Sequence, residues 1–182
     1  MPSLPSGTLI GYHGTTASKG REILRTRDFR NSLRLSNWLG DGTYFWEGDF
    51  QRALEWARPV AKKAGENAIV LETRLRLGNC LDLTQRQWLE DLREVAAHLK
   101  EETHNDGGHL PRNRGTNHAY DCALINRACS ELGGFDTVRA AFQDGDLVSD
   151  RSALRVLSHI QIAVRSERVI QKDSLRKAYT GL

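Results

Sequence analysis

Leu39-Gly40-Asp41-Gly42-Thr43-Tyr44-Phe45-Trp46-Glu47 runs two glycines straight into three consecutive aromatics and a carboxylate. Glycine pairs of this kind often cradle phosphate, in a loop that follows a strand and opens a helix. Here the order is reversed: loop, glycines, then a segment with strand character. That order excludes a dinucleotide fingerprint of the Rossmann kind. Alternation along a strand sets Tyr44 and Trp46 on one face and Phe45 on the other. Alone, the stretch reads either as an aromatic core strand or as backbone left open after Gly42 beside a wall of rings.

Upstream, Gly11-Tyr12-His13-Gly14-Thr15-Thr16 closes a short strand from Thr8 to His13 and leads into a helix over 17–27, with Thr15 or Thr16 as cap. Residues 28–41 read as loop. Downstream, Phe50, Ala53, Leu54, Ala57, Val60, Ala61 and Ala64 recur at helical spacing, so 50–64 is an amphipathic helix that Pro59 should kink or shorten and Gly65 ends. Residues 68–77 alternate as a strand. Thr84 and Gln87 match a capping box before a helix whose stripe of Trp88, Leu92, Val95, Ala96 and Leu99 runs to about residue 102. Loop composition follows over 103–118, then a helix over 120–132 ending at Gly133-Gly134. Short strands are expected near 135–141, 157–164 and 168–171. In the second of these, His159, Gln161 and Ala163 share one face and Ile160, Ile162 and Val164 the other, as in a strand lining a cleft or a plain solvent-facing edge. Strands scattered among helices give an α+β fold in a single domain over 1–182.

Composition narrows the class. With 182 residues, 39% hydrophobic and 27% charged, the chain reads as an ordinary globular protein with a full core. No apolar run reaches membrane-spanning length, the first residues do not form a secretory signal, and three cysteines suit a reducing compartment better than a disulfide framework, so a cytoplasmic location is expected. A net charge of +3 does not demand nucleic acid. Its distribution is uneven, with basic clusters over 19–36 and 165–177, and Arg112 and Arg114 in the loop 103–118. His104, His109, His118 and Cys122 lie in one region, but their spacing fits no standard zinc module and no metal is expected.

Taken in order, the YHGT strand, the GDGTYF strand and the late HIQIAV strand resemble the ADP-ribosyltransferase superfamily, in the diphtheria-toxin-like and poly-ADP-ribose-polymerase-like branch whose triad is histidine, tyrosine and glutamate. The resemblance spans most of the chain, from His13 to about Ile170. It implies two small, mostly antiparallel sheets forming a split sandwich around an NAD cleft, with flanking helices. It further implies NAD as co-substrate, with His13 on the adenosine-ribose hydroxyl, Gly14 and Thr15 beside the nicotinamide end, and Tyr44 and Trp56 as aromatic walls. Ala53 stands where that branch has an amide-binding serine, and Gln161 stands where the glutamate is expected. Glutamine keeps the hydrogen bonds of glutamate without its charge.

Breaking the nicotinamide bond moves positive charge onto the ribose, as in glycoside hydrolysis. Glu47 is the first candidate to oppose that charge, with Glu167 and Asp136 behind it. His159 is a candidate base for the acceptor, histidine being the side chain that ordinarily titrates near neutrality. Asp136 and Arg139 are close enough in sequence to form an ion pair. The resemblance is to toxin and phage-defence enzymes, some of which modify nucleic acid. The expected function is therefore mono-ADP-ribosylation of a macromolecule, RNA or DNA ahead of protein, with a cognate antitoxin or immunity protein as a further partner. A non-catalytic module binding NAD or ADP-ribose, and an RNA phosphotransferase of the same fold, are the alternatives.

Overall fold

A computed structural model describes residues 7–29 and 37–180. β1 (Leu9–Thr16) passes directly into α1 (Ala17–Thr26), because the Thr16 hydroxyl accepts from Lys19 N at 3.5 Å and caps the helix. β2 (Thr43–Glu47) leads into α2 (Phe50–Ala64), which Asp49 caps and Gly65 stops at φ 67°. α2 continues through Pro59 without shortening. β3 (Ala68–Leu75), β4 (Cys80–Asp82), α3 (Arg86–Asn105), α4 (Ala119–Glu131), β5 (Thr137–Phe142) and β6 (His159–Val164) follow, and a single 3-10 turn precedes β7 (Ile170–Thr180). No helix among the described residues is long and apolar enough to cross a membrane.

The seven strands form one sheet in the order β4-β5-β6-β2-β1-β3-β7, antiparallel throughout except for the β4–β5 pair. The expected pair of small sheets is thus corrected to a single mixed sheet. The reason is a narrow joint: β1 and β2 pair at Gly11–Glu47 and Tyr12–Trp46 and no further, yet this suffices to join the halves. Beyond Tyr12 the β1–β2 pairing forks, a break called the V below, while β1 stays paired to β3 along its whole length.

Three apolar clusters hold the layers. Ile23 and Leu24 of α1 and Phe29 pack on Phe45, Leu71, Leu75, Ile162 and Val164 on one face of the sheet. On the other face, α2 covers Trp46 and Val70, and α3 with α4 covers Leu81, Val138 and Ala163. The seam between these last two clusters falls over β2 and β6.

Several local expectations change. The capping box does not form. Thr84 Oγ1 instead donates to Asp82 Oδ1 at 2.7 Å, and α3 starts after Gln85 with no side-chain cap. α3 extends to Asn105, three residues further than the apolar stripe indicates. β4 and most of β7 escape prediction. Part of the loop expected over 28–41, including Arg30 and Arg34, lies outside the described residues.

Candidate functional site

The V between β1 and β2 is bordered by His13, Gly14 and Thr15 on one side and Tyr44 on the other. Peptide groups along a strand alternate in direction. Gly48 N donates to Ile10 O on the β2 side, whereas Ala17 N donates to Asn67 O on the β3 side. The even-numbered peptides of β1 therefore turn toward β2, and Gly14 points its N–H and C=O into the V, past the last β1–β2 pair. A continuing ladder would have paired Gly14 with Tyr44. Instead the His13 imidazole intercepts the Tyr44 carbonyl, Nδ1 to O 2.9 Å. A carbonyl only accepts, so Nδ1 carries the proton, and burial lowers the His13 pKa, leaving Nε2 an acceptor in the neutral ring.

Gly14 lacks a side chain for a packing reason as well. A Cβ there would lie 2.0 Å from the carbonyl oxygen of Ala53, which is fully buried in α2. Thr15 is buried, and its neighbour Thr16 is the helix cap.

The glycines of the 39–47 stretch serve the protein's own packing. Gly40 has φ 72° and lies against Asn126, and Gly42 lies against the Val164 carbonyl. The backbone after Gly42 is buried, not open as expected. Asp41 N donates to Asn126 Oδ1 at 3.0 Å, and Arg165 donates to both Asp41 O and Asn126 Oδ1. The Tyr44 hydroxyl accepts from Leu39 N at 2.9 Å and donates to Gly40 O at 2.7 Å. Burial raises the pKa of this phenol well above the tyrosine range.

Register sorts the remaining candidates by face. Trp46 pairs with Gln161 and Tyr44 with Ala163, so all four side chains share a face. His13 contacts Phe29 and Phe45 on the opposite face. The structure thus gathers Tyr44, Trp46, Gln161 and His159 at the seam, with His13 reaching the edge of the V from behind. Gln161 is 5% exposed and His159 7%. His159 Nδ1 lies 2.6 Å from Leu157 O and so carries the proton, which makes Nε2 the acceptor for Gln161 Nε2 at 2.8 Å. The amide orientation is fixed by that logic and leaves Gln161 Oε1 as the acceptor. Beside them the buried indole N–H of Trp46 has no hydrogen-bond partner among the described residues. Trp56 is 51% exposed, and its ring neighbour is Trp46 at 5.9 Å rather than Tyr44.

Glu47 is placed differently. It lies on the Phe45 face and is held by Arg139 at 2.6 and 3.0 Å; Arg139 also grips Asp82 at 3.2 Å through both carboxylate oxygens. Asp136 pairs with Arg168 and accepts from Asn79 N, so the expected Asp136–Arg139 pair does not exist. The Arg168 guanidinium and the Asn79 amide hold the Asp136 carboxyl below its usual range despite opposing desolvation. Glu167 accepts from Phe29 N at 2.7 Å and pairs with Lys172. The basic tail is also committed: Arg165, Arg168, Lys172 and Arg176 each bind protein partners. Among the described residues no group of three His, Cys, Asp or Glu side chains is placed to hold a metal ion. Cys80, Cys122 and Cys129 are buried, and none of them forms a disulfide among the described residues.

Sequence reading missed an aromatic run beside the seam. His118 stacks on Trp38 at 4.2 Å and 6°, Trp38 meets Phe142 at 4.5 Å, and Phe142 stacks on His159 at 5.6 Å. The adjacency of Trp38 to the glycine stretch was the available signal, but no periodicity links residues so far apart. No protein-family model, no curated protein and no solved structure matches the chain.

Proposed function

We propose that the chain is an NAD-dependent mono-ADP-ribosyltransferase acting on a macromolecule, with nucleic acid the favoured acceptor. The observation that carries this reading is the Gly14 peptide, whose donor and acceptor are directed to the β2 side beyond the last β1–β2 pair, between His13 and Tyr44. A planar carboxamide offers the same two groups in reverse, so nicotinamide can take the place of the missing strand residue. The ring is cationic in NAD, and aromatic faces attract such a cation by about 0.5–2 kcal/mol; Trp46 and Trp56 stand near. His13 Nε2 is an acceptor for a ribose hydroxyl.

The step breaks the bond between the ribose anomeric carbon and the nicotinamide nitrogen. The electron pair leaves with the nitrogen and neutralises the pyridinium. An acceptor oxygen or nitrogen then bonds to that carbon and loses its proton, for which His159 Nε2 is the candidate base. The Nε2 lone pair is occupied by the Gln161 amide, so Gln161 must first swing away for Nε2 to take the acceptor's proton. Gln161 supplies hydrogen bonding but no charge, and Glu47 lies across the sheet on Arg139. Slow turnover follows.

Isotope-labelled NAD tests the reading, with nicotinamide release measured together with mass spectrometry of RNA, DNA and protein for an added ADP-ribosyl group. Release and transfer by the native chain, lost in His13→Ala and Tyr44→Ala that remain folded, support it. No release and no adduct on any acceptor reject it. Expression in bacteria should be toxic and become harmless in the same variants.

The uncharged Gln161, already engaged by His159, favours a second reading: a module that binds NAD or ADP-ribose without turnover. Calorimetric binding of NAD without nicotinamide release distinguishes it.

A further inference from the structure

A cleft of about 700 Å³ opens between the end of α3 and the loop before α4. Lys100, His104, His109 and Arg112 line it, and no carboxylate does. Among the described residues, none of these four side chains forms an ion pair or a hydrogen bond. This contrasts with the tail cations and with Arg127, which Glu102 and Glu131 hold. Lys100 and Arg112 are thus unpaired cations facing a common space, an arrangement that favours an anionic ligand. The cleft wall also carries Tyr120. Asn113 Oδ1 accepts from the backbone N–H groups of Tyr120 and Asp121 at 3.0 and 3.2 Å, which pins the loop to α4 and leaves the Asn113 NH₂ as a donor.

From this cleft the aromatic run leads inward. His118 lies two residues before Tyr120, and the ring-to-ring path passes through Trp38 and Phe142 to His159, which holds Gln161. Trp38, His118 and Phe142 are only partly buried, so the run reaches solvent. Cations at one end and a partly exposed ring pair, Trp38 on His118, beside them are the two elements by which proteins hold a single strand of nucleic acid, phosphates on the cations and a base on the outer ring face.

We propose that this surface is a track for single-stranded nucleic acid, which anchors phosphates at Lys100 and Arg112, stacks a base on the outer side of the Trp38–His118 pair, and runs toward β6, where His159 and Gln161 lie buried. Its far end rests on the transferase reading; strand binding itself does not. An acidic peptide would satisfy the cations but leave the rings unused.

Fluorescence anisotropy with a 5′-labelled oligonucleotide of about 12 nucleotides, as RNA and as DNA, tests the track on the full chain without NAD. Affinity should fall with salt, and Lys100→Gln with Arg112→Gln should reduce the log–log salt slope by about 1.4, roughly 0.7 for each phosphate of a single strand that is no longer neutralised. Trp38→Ala should weaken binding about 5- to 150-fold with little change in slope, and His118→Ala checks the same stack at a more peripheral position. Duplex and polyglutamate should bind more weakly than the single strand. The track is overturned by absence of strand binding at low salt, by a slope unchanged in the double variant, or by equal binding of polyglutamate. Nicotinamide release without acceptor should be unchanged in Lys100→Gln/Arg112→Gln. Strand binding without nicotinamide release would sink the transferase reading and leave the track standing; release without strand binding would do the reverse.

Discussion

Replacing Arg139 with methionine tests the network that holds four neighbouring strands. Arg139 on β5 reaches Asp82 on adjacent β4 and, across β6, Glu47 on β2. Methionine keeps much of the apolar stem and removes the charge. Asp82 is then left 2% exposed with Thr84 as its remaining close partner, its Oδ1 accepting from Thr84 N at 3.1 Å and from the Thr84 hydroxyl at 2.7 Å. Stranding one member of a buried pair costs about 3–5 kcal/mol. The Arg139 and Glu47 side chains are 13% and 18% exposed, so Glu47 can relax toward water. A loss of about 2–4 kcal/mol is expected. With a urea dependence of about 2 kcal/mol per M, the unfolding midpoint drops by roughly 1–2 M. Glu47→Gln should cost less, and the Glu47→Gln/Arg139→Met double variant should cost less than the sum by about 1–3 kcal/mol. An Arg139→Met midpoint within about 0.3 M of the native chain, against the error of such measurements, refutes the reasoning.

Three further outcomes are expected. Gly14→Ala forces a Cβ to 2.0 Å from the Ala53 carbonyl and should cost more than about 3 kcal/mol or abolish soluble expression, whereas Gly134→Ala, which meets nothing within 4 Å, should stay within about 0.5 kcal/mol by thermal melting. Burial keeps native His13 neutral at pH values where the unfolded chain takes up a proton. Its contribution to stability is therefore present above about pH 6.5 and lost as pH falls through that value, by up to about 1.4 kcal/mol per pH unit; His13→Asn should flatten urea-derived stability between pH 7.5 and 5.5, and an unaltered pH profile would contradict the assignment. On the proposed transferase reading, Gln161→Glu adds a negative charge beside the reacting ribose and should raise nicotinamide release at least about tenfold; an unchanged or lower rate in a folded variant argues for the binding module.

What could be read in the sequence was what alternation and caps record locally. β2, β6 and the helices α1, α2 and α4 follow their periodicities closely, whereas β1 runs to Thr16, three residues past its expected end at His13. β4 has three residues, too few to show a period. Seven of the eleven residues of β7 are Gln, Lys, Asp, Ser, Arg or Thr, an edge strand whose polarity hides its pairing with β3. The Thr84 hydroxyl was open to two uses, and the nearby carboxylate of Asp82 took it from the helix. His13, Tyr44 and Gln161 could be singled out by residue type, but not the sorting of their side chains to opposite faces, because that depends on β6 inserting beside β2 in one register. For the same reason Glu47 looked available: its partner Arg139 lies 92 residues away.

The two-pair joint between β1 and β2 also bears on how the chain opens. β3 and β7 are tied to β1 by an extended ladder, while β4, β5 and β6 hang from β2. Amide hydrogens on either side of the joint should exchange as two blocks with separate protection factors. A tension applied between the strand ends at the V would separate the blocks there first, before either one lost its own internal order.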